Sequence, residues 1–268
     1  MKPPVFIKLG GSLITDKRAP LTPKPVVIRQ LAKEIKAARE ADPELSIILG
    51  HGSGSFGHWE ASHYGTRQGV HTPDEWRGFS QVAAAAARLN RLVADTFLET
   101  GVPVLSLPAS ASAEAHDGTI TAWSDAPIRH ALDHGLIPLI FGDVAFDSVR
   151  GGTILSTEDL FQHLAHTLRP GRMLLLGITR GVLDAQGQLV PHITPATYPD
   201  LIPALGGSGG VDVTGGMADK VAQMIALVQA LPGLQIEILS GQEPGALKRA
   251  LLEPASGGGT WITGGPPA

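Results

Sequence analysis

Lysine placement and glycine spacing are the two features of this chain that could do chemistry. The eight lysines are Lys2, Lys8, Lys17, Lys24, Lys33, Lys36, Lys220 and Lys248, with none between Lys36 and Lys220. Arginine supplies the rest of the 21 cationic side chains. A lysine inside a glycine-rich segment is then a compact point charge set where a phosphate could sit. Three such segments stand out: Lys8-Leu9-Gly10-Gly11-Ser12, Gly50–His58, and Asp212-Val213-Thr214-Gly215-Gly216-Met217-Ala218-Asp219-Lys220. Glycines let backbone amides approach an anion, and a helix start adds partial positive charge. Three loops of this kind, two carrying lysine, point to a large polyanionic ligand such as a nucleotide triphosphate together with a phosphorylated acceptor.

Known phosphate motifs narrow the choice. No Gly-Lys dipeptide occurs anywhere in the chain, which excludes a P-loop. Gly52-Ser53-Gly54-Ser55-Phe56-Gly57 matches G-x-G-x-x-G, but the acids about 20 residues on, Asp74 and Glu75, open a helix instead of ending a strand. His51, His58 and His63 match no defensible metal-ligand spacing. The chain has no cysteine, so disulfides, thiolate metal sites and thiol nucleophiles are excluded.

The elements that must position these loops follow from periodicity. Val5–Leu9 and Leu45–Leu49 read as buried strands leading into glycine turns. Pro25–Ala41 carries Val27, Leu31, Ile35 and Ala38 at helical spacing. Thr72-Pro73-Asp74-Glu75 is a capping box that starts a helix running to about Thr100. Val102–Leu107, Leu136–Phe141, Met173–Leu176, Leu234–Leu239 and Thr260–Thr263 read as further strands. Helices are expected at Asp125–His134, Ser156–Leu168, Met217–Ala230 and Gly245–Leu251, and hairpins at Val144–Leu155 and Val182–Val190. Gly206–Gly216 reads as a mobile loop. Alternating strands and helices predict an α/β fold, an open αβα sandwich with a mainly parallel central sheet. One domain is expected over 1–268, with no internal repeat.

Composition sets the outer bounds. The 268 residues are 43% hydrophobic and 17% charged, below the roughly 25% charge usual for soluble domains, which argues against disorder. A net charge of −4 argues against a nucleic-acid or anionic-membrane binder. No apolar run approaches the roughly 18 residues of a spanning helix, and Met1-Lys2-Pro3-Pro4 shows no signal-peptide pattern. A soluble, cytoplasmic protein is expected.

Lys8-Leu9-Gly10-Gly11-Ser12-Leu13-Ile14-Thr15-Asp16-Lys17 resembles the opening of the amino acid kinase superfamily, and specifically of isopentenyl phosphate kinases. His51–His58 resembles that family's acceptor-phosphate loop, and Asp212–Lys220 its nucleotide-side segment. Phe141-Gly142-Asp143-Val144 and Ile154–Asp159 are similar to two intermediate segments. Two departures are visible. Ser53 stands where relatives often have a third glycine, and Gly177-Ile178-Thr179-Arg180-Gly181 replaces the acidic Thr-Asp-Val-Asp-Gly stretch.

The resemblance implies ATP- and Mg²⁺-dependent phosphorylation of isopentenyl phosphate to isopentenyl diphosphate, a step of isoprenoid biosynthesis, by a homodimer. It implies that about residues 1–165 hold the acceptor and about 166–268 the nucleotide. Lys8, Gly10, Gly11, Ser12, Gly54, Gly181, Gly216 and Lys220 are the implied ATP contacts; Ser53, Gly54, His58 and Gly142 are the implied acceptor contacts. No residue is assigned as a metal ligand. Lys8, Lys17 and Lys220, arriving from separate loops, could surround the transferring group, with His58 donating a hydrogen bond to the acceptor phosphate. Glu158 and Asp159 either favour a helix start through the dipole or orient Lys8 or Lys220, and the residues alone leave both readings open.

The hydrocarbon tail of such an acceptor needs an apolar pocket beside the anion loop. Phe79, Ala83, Ala86 and Asn90 share one face of the 73–100 helix, and the small alanines leave room above the backbone. Elements around Phe141 and Phe146 are the alternative wall. Rival functions are a kinase acting on a phosphonate such as fosfomycin, and a non-catalytic nucleotide-binding relative.

Overall fold

A strand such as Val5–Leu9, apolar at nearly every position, is stable only with helices covering both sides of its sheet. The computed structural model describes residues 2–57, 64–205, 216–254 and 258–265. Its strands are β1 (Val5–Leu9), β2 (Ile47–His51), β3 (Val104–Ser106), β4 (Glu114–His116), β5 (Thr119–Ala122), β6 (Ile137–Phe141), β7 (Asp143–Asp147), β8 (Gly151–Leu155), β9 (Arg172–Gly177), β10 (His192–Ile193), β11 (Gln235–Ser240) and β12 (Thr260–Thr263). An eight-stranded sheet runs β10-β12-β11-β9-β1-β2-β6-β3, and every neighbour is parallel except β11–β12. A four-stranded sheet, β5-β4-β7-β8, stands beside it.

The helices are α1 (Gly11–Ile14), α2 (Pro25–Ala41), α3 (Pro73–Glu99), α4 (Ala126–Asp133), α5 (Thr157–Leu168), α6 (Tyr198–Leu205), α7 (Met217–Ala230) and α8 (Ala246–Leu252). Leu31 and Ile35 of α2, Val93 and Phe97 of α3 and Leu247 of α8 form one core with Ile7, Leu9 and Leu49. On the other face Phe161 and Leu164 of α5 and Met224 and Val228 of α7 pack on Phe6, Ile48 and Met173. The fold is the open αβα sandwich with a mainly parallel central sheet.

Local chemistry explains where elements begin. Thr72 accepts the Glu75 amide while the Glu75 carboxylate accepts the amides of His71 and Thr72, so the capping box at α3 forms as its residues require. Two further features lay outside the periodicity. Asp117 (φ 47°) and Gly118 (φ 79°) turn β4 into β5, a two-residue Asp-Gly turn, and Asp147 binds it by accepting both of their amides. Helix α6 carries Pro199 and Pro203, which argue against helix in any propensity reading. The expected strand at 102–107 shrinks to Val104–Ser106, beginning just after Pro103, which has no N–H for a ladder.

Strand alternation aims the chemistry. Phe6 and Lys8 leave β1 on the same face, where α5 lies. Phe6 meets Phe161 with ring centroids 5.0 Å apart, and Lys8 reaches the first turn of the same helix. Gly50 lies on this face of β2 and lets α5 approach. A Cβ there would sit 2.7 Å from Thr157 Cγ2 and 2.8 Å from Phe161 Cζ. Gly50→Ala is therefore expected to cost about 1–3 kcal/mol by overpacking, and thermal melts should show Tm lower by several degrees. An unchanged Tm would mean that α5 shifts freely.

Candidate active site

The loops leaving the carboxyl ends of β1, β2, β6 and β9 close on one cleft, the position at which open α/β sheets bind ligands. Backbone bonds stitch them across the strand ends. Gly10 N donates to Leu176 O at 2.8 Å, Gly52 N to Leu9 O at 3.0 Å, and Gly142 N to His51 O at 3.2 Å. The first two glycine loops touch backbone to backbone, since a Cβ on Gly11 would lie 2.6 Å from Gly54 N. Gly54 has φ +49°, and a Cβ there would lie 2.1 Å from Thr15 Oγ1. That hydroxyl donates to Gly11 O at 2.7 Å and accepts from Ser55 N at 2.9 Å. The buried Thr15 thus rivets the two loops together.

Lys8 enters the cleft from the end of β1 and pairs with Glu158 in the first turn of α5. Burial pushes the Glu158 carboxyl up, but Lys8 and Lys220 outweigh it, and the group stays below the ordinary carboxylate range. Of the two acids left open by the sequence, Glu158 holds the lysine. Asp159 completes a capping box, its Oδ2 accepting Ser156 N at 2.8 Å while Ser156 Oγ accepts Asp159 N at 3.1 Å.

Lys17 sits in a loop closed at its base. Thr15 bridges Pro23, Asp16 N donates to Thr22 O at 2.9 Å, and Lys24 N donates to Ile14 O at 2.7 Å. Arg18 clamps Asp16 with two of its side-chain nitrogens, Nε at 3.0 Å and Nη2 at 2.6 Å, and holds its carboxyl far below the usual range. Lys24 Nζ donates to Ser12 O at 2.9 Å, so this lysine also supports the first loop. On the opposite side Gly216 stands at the start of α7, one turn before Lys220, and both line the cleft.

The expected site residues divide cleanly. Lys8, Gly10, Gly11, Ser12 and Lys17 line the cleft from the first loop, and Ser53, Gly54 and Gly142 from the second and third strand ends. Ala86 contributes from α3. Phe79 and Ala83 do not reach it. They stand one layer back, where Phe79 packs with Val70, Val82 and Val144 and lies 5.2 Å from Trp76 and 5.5 Å from Phe146, ring centre to ring centre. The wall is instead Val82, Ala86 and Ile154. Val82 lies one turn before Ala86 and was within reach of the helical spacing. Gly181 is buried away from the cleft, where Thr260 Oγ1 and Leu189 Cδ1 would lie 2.5 and 2.7 Å from a Cβ, so it serves close packing. His58 and Asp212–Gly215 lie outside the described residues. Thr157, Arg67 and Asp143 join the lining without having been singled out. Asp143 lies in the Phe141–Val144 segment; burial pushes its carboxyl up against the amides of Ser110 and Val144, which donate to it.

His51 is fully buried beneath the second loop. Its ring stacks on Phe141 at 5.6 Å, Nδ1 lies 3.1 Å from Gly52 O, and Nε2 lies 3.2 Å from Asn90 Nδ2. Asn90 can only donate to Nε2, because its oxygen accepts from Ser106, so Nδ1 carries the proton and donates to Gly52. Both ring nitrogens are used, and burial lowers the pKa to about 4. Between about pH 6.5 and 4 the unfolded chain binds a proton that the folded one refuses, so stability falls as pH drops through that window. A pH series of thermal melts should show that loss, and an NMR titration should place His51 far below its usual pKa; a His51 pKa near 6.5 would contradict the assignment.

The amino acid kinase family matches residues 3–240 of this chain. An isopentenyl phosphate kinase of Haloferax volcanii is 37% identical over 91% of this chain and 98% of its own length. The isopentenyl phosphate kinase of Methanothermobacter thermautotrophicus is 31% identical over 92% of this chain and 95% of its own. The crystal structure of the Thermoplasma acidophilum isopentenyl phosphate kinase product complex superposes with a TM-score of 0.74 at 26% identity, covering 97% and 99% of the two chains. With glycine loops and lysines meeting at the strand ends and these likenesses spanning nearly its whole length, the chain belongs to the amino acid kinase family, among its isopentenyl phosphate kinases.

Proposed function

We propose that this kinase transfers the γ-phosphoryl group of ATP to isopentenyl phosphate, forming isopentenyl diphosphate and ADP. One observation carries the reading: a cleft lined by Lys8, Lys17 and Lys220 and by glycine amides continues into the apolar wall of Val82, Ala86 and Ile154. An anion site joined to a small apolar pocket suits an acceptor with a phosphate head and a short hydrocarbon tail. An acceptor oxygen attacks the γ-phosphorus as its bond to the β–γ bridging oxygen breaks. The acceptor phosphate is already mostly dianionic at neutral pH, its second pKa being about 6, so the reaction needs no strong general base.

In a loose transition state the protein mainly positions reactants and neutralises spreading charge. In this reading Lys8, oriented by Glu158, and Lys220 face the transferring group, while Lys17 closes from its looped segment. Gly10, Gly11, Ser12 and Gly216 serve the nucleotide, and Ser53, Gly54, Gly142 and His58 the acceptor phosphate; about residues 1–165 form the acceptor part and about 166–268 the nucleotide part, with the first glycine loop reaching across to the nucleotide. A magnesium ion belongs to the same reading. Glu158 is engaged by Lys8 and Asp143 by two amides, and the described residues contain no cluster of three His, Asp or Glu. That donor set fits an ion held by nucleotide phosphates and water, with few protein ligands; when bound, it neutralises phosphate charge. No helix among the described residues is long and apolar enough to cross a membrane; a cytoplasmic homodimer completes the proposal.

A coupled kinase assay against isopentenyl phosphate, dimethylallyl phosphate and fosfomycin tests it, and equal or higher kcat/KM on fosfomycin would refute the acceptor. Lys17→Ala should lower kcat by orders of magnitude with KM little changed, because its interaction strengthens as charge develops. Lys2→Ala is the silent control. A raised KM with kcat preserved would make Lys17 a ground-state binder. Ala86→Leu should depress kcat/KM for five-carbon and longer prenyl monophosphates more than for shorter alkyl phosphates, since each buried CH₂ is worth about 0.8 kcal/mol. A parallel fall at all lengths would remove Ala86 from the tail pocket.

A further inference from the structure

Arg67 is the one arginine among the described residues that line the cleft. Its backbone is held from two sides, the carbonyl accepting from Arg150 Nη1 at 3.1 Å and from Thr153 Oγ1 at 3.1 Å. Thr153 is the neighbour of Ile154 on β8, and Ile154 belongs to the apolar wall. The Arg67 backbone is thereby fixed beside the apolar wall, which the proposed function assigns to the acceptor's tail. Its guanidinium lies 3.7 Å from Asp159 Oδ2 at the start of α5. That contact is longer than a hydrogen bond, and the same oxygen already accepts Ser156 N at 2.8 Å. Asp159 therefore restrains the arginine electrostatically without using up its fork of five N–H donors. The side chain remains partly exposed, at 31%.

We infer that Arg67 is a ligand of the acceptor's phosphate, tethered beside Asp159 until that phosphate arrives. The inference rests on the proposed acceptor chemistry. A planar guanidinium grips two phosphate oxygens at once, which a lysine ammonium does not. It therefore adds selectivity for a phosphate monoester at the end of the cleft that also holds the tail. Glu158 and Asp159, adjacent in sequence, then divide the work: one orients Lys8 and the other parks Arg67.

The test is the pair Arg67→Ala and Arg67→Lys, with Asp159→Asn alongside. Steady-state kinetics would be combined with calorimetric titration of isopentenyl phosphate, of inorganic phosphate and of a non-hydrolysable ATP analogue. Arg67→Ala should weaken isopentenyl phosphate about ten- to a hundredfold, the equivalent of one lost charge-assisted interaction, with nucleotide binding and Tm unchanged. Arg67→Lys should recover only part of the loss, and Asp159→Asn should leave acceptor affinity intact or tighter. Unchanged acceptor affinity in Arg67→Ala would overturn the inference. So would equal losses of Tm and of both affinities in Arg67→Ala and Asp159→Asn, the mark of a purely structural ion pair. Failure of the parent reading looks different, because the unmodified enzyme would then leave isopentenyl phosphate unphosphorylated whatever the phosphate titrations show.

Discussion

In the proposed reaction, cations that meet around one phosphoryl group repel each other before any substrate arrives, and the pairing of Lys8 with Glu158 is what makes their approach tolerable. Both side chains are largely removed from water, with 10% and 14% exposure. An ion pair so placed gains much less than its Coulomb energy suggests, because both charges have lost hydration. Its value lies in geometry. Removing Glu158 would leave a desolvated ammonium facing Lys220, whereas with it Lys8 is held on a fixed line from the strand end.

The surrounding fold follows from the need to bring those two residues together. Lys8 must be the last inward-facing position of a central parallel strand, and Glu158 must lie in the first turn of a helix pressed on that same face. Close helix–sheet contact requires Gly50, and the Phe6–Phe161 contact one step down fixes the helix against the strand. The capping box of Ser156 and Asp159 then sets where the helix begins, so that Glu158 stands over the strand end. Specificity of position comes from packing; the charges occupy places that apolar residues have already defined.

Internal hydrogen bonds hold the described parts of the loops around this pair. Backbone groups that point into a cleft are costly unless satisfied, and here strand-end amides, Thr15 and His51 satisfy many of them internally. His51 does this as a neutral ring, with burial holding it unprotonated at physiological pH. Among the described residues that line the cleft, the carboxyl groups are those of Glu158 and the buried Asp143.

Much of this was legible in the residues alone. The alternation of apolar strands with amphipathic helices specifies a parallel sheet covered on both sides, because that arrangement buries the apolar runs Val5–Leu9 and Leu45–Leu49 together. The glycine segments and Lys8, Lys17 and Lys220 marked the proposed anion site, and the described ones line one cleft. What stayed hidden depends on side chains far apart in sequence. Glu158 and Asp159 look equivalent until helix phase points one at Lys8 and the other at its own N-terminus. Phe79 and Ala83 share a helical face with Ala86, yet a neighbouring aromatic cluster claims them, and Val82 and Ile154 take the wall. Arg67 carries no motif at all; it lines the cleft from a backbone whose carbonyl is held by Arg150 and Thr153. Local periodicity and composition settle which elements form and where glycine must be, whereas the direction of each side chain awaits the packing of elements a hundred residues apart.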